Sequence, residues 1–102
     1  MGMRRSQPAK ISPDLAGQPS LWREAEEKVA SLTTRELEVL TLIADGFSSQ
    51  QIGAALGISK RTVDVFRRTL LPKLGVDSSP LAVRLAIYAA LAQLDRERNT
   101  GA

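Results

Sequence analysis

Two helix-start signals lie on either side of a glycine near the middle of the chain, and they limit the local fold more than any other feature. Thr33 and Glu36 form a T-x-x-E capping box, in which each side chain accepts a hydrogen bond from the other residue's backbone N–H. Ser48 and Gln51 repeat the box as S-x-x-Q, and Gly46 before them favours a helix end. The sequence therefore predicts two short helices on either side of a tight bend.

The second short helix leads directly into a longer one. It ends at Gly57, and Ser59 is a candidate N-cap for a helix that runs toward Leu74. A short helix, a turn of about three residues and a longer helix are the pattern of a helix-turn-helix, whose second helix enters the DNA major groove. Pro72 lies late in the longer helix, where its ring favours a kink or an early end.

At 102 residues the chain suits a single small all-α domain with flanking segments. Prolines and a glycine near the N-terminus predict a flexible arm, in which Arg4 and Arg5 could reach a phosphate backbone. Ser20 is the candidate N-cap of the helix that follows the arm. The predicted division is a flexible basic arm at 1–19, an extra N-terminal linker helix at 20–31, a four-helix helix-turn-helix domain at 32–94 and a disordered tail at 95–102.

Positive charge is concentrated in the predicted long helix. Residues 59–73 contain five cations and a single acid, and so carry a net charge of +4 in a chain whose total is +3. A localised basic patch is what an anionic polymer such as double-stranded DNA requires of its partner, although a charged helix face is by default merely solvated.

The composition argues against an enzyme. Without cysteine or histidine, the chain lacks the commonest metal ligand and the usual general base at neutral pH. We therefore predict no catalytic residue, metal, cofactor or small-molecule substrate. No apolar run approaches the roughly 18 residues of a bilayer-spanning helix, and the start MGMRRSQPA has no apolar stretch behind it. We accordingly expect no membrane partner and a cytoplasmic location.

Residues 32–91 resemble the LuxR-type (GerE-like) DNA-binding domain of bacterial transcription regulators. The resemblance is carried by LTTRELEVLTLIADGFSSQQIGAALGISKRTVDVF, followed by KLGV and by the Ala82-Val83 pair. It implies a four-helix domain that commonly binds DNA as a homodimer, often through the fourth helix.

Helical geometry separates two faces of the predicted recognition helix. At about 100° per residue, Val63, Phe66, Leu70 and Leu74 fall on one side and are predicted core. The opposite side holds the predicted base contacts, which are Arg61, Asp64, Val65 and Arg68. Phosphate contacts, which set affinity and its salt dependence, are predicted for Ser49, Gln50, Ser59, Lys60, Thr62, Arg67 and Lys73.

Asp64 departs from the family pattern, in which a lysine or another cation usually occupies this position. Arg61, Arg67 and Arg68 are three or four residues away, within reach of an ion pair. One interpretation is a surface ion pair worth about 0.3 to 0.5 kcal/mol. A second is that Asp64 fixes the Arg68 guanidinium for guanine, or itself accepts from cytosine N4. A third is that the acid marks a domain that binds DNA weakly.

The fourth predicted helix, PLAVRLAIYAALAQL, is apolar around more of its circumference than one small core needs. Part of it is expected to pack on the linker helix. The remainder predicts a homodimer interface through Leu81, Leu85 and Tyr88, and a two-fold dimer would read an inverted repeat.

Three functions fit these features. The first is a sequence-specific DNA-binding transcription regulator, or the effector domain of one. The second is a sigma-like promoter-recognition module that acts together with RNA polymerase. The third is a protein-interaction adaptor that keeps the fold but has weak DNA affinity.

Overall fold

The computed structural model describes residues 18–100, and this part of the chain is entirely helical, without strands. Its five helices are α1 (Pro19–Ala30), α2 (Thr34–Ala44), α3 (Ser49–Leu56), α4 (Lys60–Leu74) and α5 (Ser79–Thr100). The predicted all-α fold with an extra N-terminal helix is confirmed. Most of the predicted basic arm, including Arg4 and Arg5, lies outside the described residues.

The predicted capping signals begin three of these helices. In the first box, Glu36 N–H donates to Thr33 Oγ1 at 3.1 Å, and Thr33 N–H donates to Glu36 Oε1 at 2.9 Å. The second box, before α3, is also complete. Ser59 Oγ accepts from Thr62 N–H at 3.0 Å at the start of α4. Each cap satisfies a backbone donor that would otherwise lack a partner.

Two glycines shape the turn between α3 and α4. Gly57 follows the last residue of α3 with a left-handed backbone conformation, at φ 73°. Glycine adopts this conformation without steric strain because it has no Cβ. Gly53 lies inside α3, where an added Cβ would stand 2.6 Å from the Ile58 carbonyl oxygen. The turn therefore folds back tightly against α3, and this close approach sets the position of α4.

The core joins α2, α3, α4 and α5. Its fully buried members are Val39 and Leu40 of α2, Ile52 of α3, Val63, Leu70 and Leu74 of α4, and Ala82 of α5. Burial of a large apolar side chain contributes about 1.5 to 3 kcal/mol. The core thus fixes the inward side of α4 as predicted, with Phe66 half-buried against it.

Both ends of the described region differ from the prediction. Helix α1 begins at Pro19 with Gln18 as N-cap, rather than at Ser20, because proline suits the first position of a helix. Helix α5 continues to Thr100, so the predicted disordered tail is wrong for residues 95–100. Arg96 in this last part donates to both carboxylate oxygens of Glu26, at 2.5 and 2.6 Å, which ties the end of α5 to α1.

Helix α1 packs along α5, and Ala25 and Ala92 are buried in their contact. Helix α4 passes through Pro72 and ends only at Leu74, so the proline does not shorten it. Within the described region, no helix alone has the length and apolar character to cross a bilayer. Helices α4 and α5 reach that composition only as a pair, and the pair is bent by 62°.

Candidate nucleic-acid interface

Helices α3 and α4, with the turn between them, form the predicted helix-turn-helix. Ile52 and Gly53 of α3 are buried, as are Val63, Leu70 and Leu74 of α4. With these side chains turned inward, the opposite side of α4 faces outward. The geometry needed for a recognition helix is therefore present.

Three of the four predicted base contacts lie on this outward face. Arg61, Val65 and Arg68 are all exposed, and Val65 is 43% exposed although it is apolar. Within the described part of the chain, neither Arg61 nor Arg68 has a hydrogen bond or ion pair. Both guanidinium groups are therefore available to a ligand.

Asp64, the fourth predicted base contact, is half-buried and turned toward α3. Its Oδ1 accepts from Ser49 Oγ at 2.8 Å, and its Oδ2 accepts from Lys60 Nζ at 2.9 Å. These bonds from Lys60 and then from Ser49 hold the pKa of Asp64 below its ordinary value. The interpretation in which Asp64 fixes the Arg68 guanidinium is wrong for this structure, because the carboxylate is bonded to Lys60 and Ser49 instead.

Arg67 joins three helices rather than standing free for a phosphate. Its Nη2 donates to Ser79 Oγ of α5 at 2.9 Å, and its Nη1 approaches Ser49 Oγ of α3 at 3.4 Å. The side chain is half-buried. Arg67 therefore already has partners in α3 and α5, and its predicted phosphate contact stays a prediction.

Lys73 is also bonded within the fold. Its Nζ lies 2.8 Å from Glu36 Oε1, and Glu36 is only 5% exposed. Burial raises the pKa of Glu36, but bonds from Lys73, from the Thr33 N–H and from Thr69 outweigh it, and the pKa is lowered overall. Lys73 therefore neutralises a buried carboxylate within the fold, and its predicted phosphate contact stays a prediction.

The remaining predicted phosphate contacts fall into two groups. The hydroxyls of Ser59 and Thr62 are 2.9 Å apart and take part in the cap of α4. Gln50 is exposed at the start of α3, and its side chain has no hydrogen bond to the rest of the described chain. Of the seven predicted phosphate contacts, Gln50 is thus the one left without an internal bond among residues 18–99.

Helix α5 leaves large apolar side chains exposed, some of them outside the predicted interface residues. Of the three predicted interface residues, Leu85 is half-buried against the core, Tyr88 is half-buried and Leu81 is 37% exposed. Ile87 and Leu94 are more exposed, at 53% and 56%. They are seven residues apart, or about two helical turns, and so lie on one face. The sequence analysis missed both because the helix is apolar on nearly all sides.

Comparison with known proteins places these observations in a family. The sequence model described as "Bacterial regulatory proteins, luxR family" matches residues 30–86, which is more than half of the chain. The match covers the helix-turn-helix and the start of α5, and it confirms the resemblance identified from the sequence. It leaves out most of α1.

Proteins with similar sequences are named as regulators. The chain is 38% identical over 72 residues to the transcriptional regulatory protein FixJ of Azorhizobium caulinodans, covering 71% of this chain and 34% of FixJ. It is 44% identical over 68 residues to the nitrate/nitrite response regulator protein NarP of Escherichia coli, covering 67% of this chain and 32% of NarP. The chain thus spans about a third of the length of these relatives. No solved structure matches it significantly.

Proposed function

The chain belongs to the luxR family of bacterial regulatory proteins, and from that premise we propose that it reads a specific DNA sequence with α4 in the major groove. The observation that carries this proposal is the outward face of α4. Arg61 and Arg68 present two guanidinium groups that make no internal bond within the described chain, on either side of the exposed Val65.

The side chains on this face match the chemistry of base edges. A guanidinium can donate two hydrogen bonds to O6 and N7 of guanine, and an apolar side chain such as valine can contact the methyl group of thymine. Arg61, Val65 and Arg68 are therefore proposed as base contacts. Asp64 stays behind this face as long as it keeps its bonds to Ser49 and Lys60.

Contacts to the phosphate backbone are proposed for the start of α3. The exposed Gln50 amide can donate to a phosphate oxygen, and so can the first backbone N–H groups of the helix. The other predicted phosphate contacts take part in bonds within the fold. Lys60, Arg67 and Lys73 would contact DNA through N–H donors that their internal bonds leave unused, or by exchanging those bonds, and the hydroxyls would have to exchange theirs. The residues with internal bonds are Ser49, Ser59, Lys60, Thr62, Arg67 and Lys73.

A homodimer through α5 is the proposed assembly on DNA. Ile87 and Leu94 are large apolar side chains that remain more than half exposed on one face of the helix. Pairing this face with its copy across a two-fold axis would bury both and present two α4 helices to an inverted repeat. Tyr88 and Leu81 also belong to α5, and we propose that they lie at the edge of the contact.

The full regulator is proposed to contain more than this module, because the chain spans only about a third of its relatives. The names FixJ and NarP refer to a transcriptional regulator and to a response regulator. A signal-receiving part and a contact with RNA polymerase are therefore proposed for the whole protein, acting in the cytoplasm. The sigma-like module and the adaptor are less well supported, because the family consists of regulators.

Selection of binding sites from random duplexes at a stated salt concentration tests the function directly. The expected result is an enriched sequence with inverted symmetry. Arg68→Ala should weaken binding to that sequence by about 1 to 3 kcal/mol per contacted base and relax the preference at one position in each half-site. Arg23→Ala on α1 removes the same charge away from α4 and serves as the matched control. Failure to enrich any sequence would contradict the proposal.

A further inference from the structure

The carboxylate of Asp64 lies between the two helices of the helix-turn-helix with both of its oxygens occupied. Ser49, at the start of α3, donates to Oδ1 at 2.8 Å, and Lys60, one turn earlier in α4, donates to Oδ2 at 2.9 Å. Ser49 and Lys60 have the side chains that would otherwise donate to phosphate at the edge of a DNA groove. A single acid therefore engages two potential DNA contacts.

The free charge on α4 is consequently smaller than its sequence indicates. Lys60 is paired with Asp64, Lys73 with Glu36, and Arg67 is hydrogen-bonded to Ser79. Arg61 and Arg68 are the cations of α4 without such a bond in the described chain, and both point toward the proposed base-reading face. The cations left for DNA are thus the ones that can distinguish sequences.

We propose that Asp64 restrains the Lys60 ammonium from the phosphate backbone, so that it suppresses non-specific DNA binding and leaves affinity to depend on base contacts by Arg61 and Arg68. This inference rests on the proposed function. If Lys60 moved to a phosphate, the half-buried Asp64 carboxylate would lose its cation while facing a polyanion. Because a phosphate contact carries no sequence information, restraint of one lysine lowers the affinity for every duplex by about the same factor. Base contacts by Arg61 and Arg68 then supply a larger share of the binding free energy at the specific site.

A direct base contact by Asp64 is the competing role. Cytosine N4 would need a carboxylate oxygen that points into the groove, whereas Oδ1 and Oδ2 are engaged by α3 and by Lys60. The two roles give different results when the charge is removed. Loss of a base contact changes the sequence preference, whereas release of Lys60 changes the salt dependence.

The test is a double-mutant cycle with Lys60→Ala, Asp64→Asn and the double variant in the chain described here. Asparagine removes the charge but keeps an oxygen that can accept from Ser49, so the contact between α3 and α4 is conserved. Binding to a random-sequence duplex and to the selected site is measured over a range of salt concentrations. Amide NMR spectra establish that each variant is folded.

We expect Asp64→Asn to steepen the slope of log K against log salt by about 0.9 per subunit. At about 0.1 M salt, affinity for the random duplex should rise by about five- to tenfold per subunit, with unchanged base preference. Lys60→Ala should change the slope little in the wild-type background, but should remove the added steepness when Asp64 is asparagine. Glu24→Gln, which removes an exposed acid from α1, is the control and should leave the slope unchanged.

Equal effects of Lys60→Ala in the two backgrounds would overturn the inference, because Lys60 would then reach phosphate despite Asp64. A relaxed preference at one base position in Asp64→Asn would also overturn it in favour of a base contact. Both results require a wild-type chain that binds DNA. If wild-type protein binds no duplex even at low salt, the proposed function itself fails, and the two failures are therefore distinguishable.

Discussion

Lys73 and Glu36 are 37 positions apart in the chain, yet Lys73 Nζ lies 2.8 Å from Glu36 Oε1. Glu36 is at the same time the acid of the capping box that starts α2. One buried carboxylate therefore caps α2 and also attaches α4 to it. The pair therefore adds a polar link to the apolar contacts that hold α4 on the core.

Removal of the Lys73 ammonium should lower the stability of the fold and not only the affinity for DNA. Loss of a partner from a fully buried ion pair costs about 3 to 5 kcal/mol, but Lys73 is 40% exposed and Glu36 keeps its other bonds. We expect Lys73→Met to lower the free energy of unfolding by about 1 to 2 kcal/mol, between the buried and the surface values. Urea denaturation measures this difference.

Lys60→Met is the matched control for that experiment, because Lys60 is more exposed than Lys73 and the side chain of its partner Asp64 is 34% exposed, against 6% for Glu36. It should change the free energy of unfolding by less than about 0.5 kcal/mol. Equal losses in the free energy of unfolding would contradict this prediction, because burial of Glu36 would then not strengthen its ion pair with Lys73.

Acid should weaken the fold through Glu36. Its pKa is lowered in the folded chain, so the unfolded chain binds this proton more readily. The contribution to stability is therefore fully present above the ordinary glutamate pKa and is lost as the pH falls through the lowered one. The stability difference between wild type and Glu36→Gln, measured by urea denaturation at several pH values, should shrink in that acid range. A difference independent of pH would contradict this assignment.

Local rules were enough to predict the helix starts and the core side of α4. Capping boxes involve residues three positions apart, and a helical period assigns Val63 and Leu70 to one face without knowledge of the partner helix. The same reasoning also predicts that Arg61 and Arg68 point outward. These features depend on residues close together in the chain.

The bonds between helices could not be predicted in this way. Spacing alone placed Arg61, Arg67 and Arg68 within reach of Asp64, at three or four residues, and did not choose among them. The hydrogen bond from Ser49, 15 positions earlier, turns the carboxylate toward α3 and Lys60 instead. A helical wheel shows which face of a helix a residue occupies, but it gives no information about the side chains that another helix brings into contact with it.

Gly53 provides a test of the turn, in which two principles predict opposite signs. Alanine is the better helix former by about 1 kcal/mol, so propensity predicts that Gly53→Ala stabilises the domain. Its Cβ, however, would stand 2.6 Å from the Ile58 backbone carbonyl oxygen. We expect a net loss of about 1 to 3 kcal/mol, as is typical of overpacking. Thermal denaturation checks the sign.

Ala54→Gly, at the exposed neighbouring position, reports the propensity effect alone and should cost about 1 kcal/mol. A stabilised Gly53→Ala variant would show that the turn can move away from α3, and the close packing of the helix-turn-helix would then be wrong.

The exposed face of α5 should determine the oligomeric state. Ile87→Asp and Leu94→Asp replace apolar side chains that are more than half exposed with charged ones, so the fold of the monomer should be retained. The proposed two-fold contact should be lost, because it would bury these charges. Sedimentation equilibrium is expected to give a dimer mass for the wild type and a monomer mass for the double variant. On DNA, the variant should lose affinity for the inverted repeat and keep its affinity for a single half-site.

Leu37→Asp changes an apolar residue that is 42% exposed on α2 and is the matched control. If Leu37→Asp dissociates the dimer and the α5 variant does not, the interface lies on α2 instead.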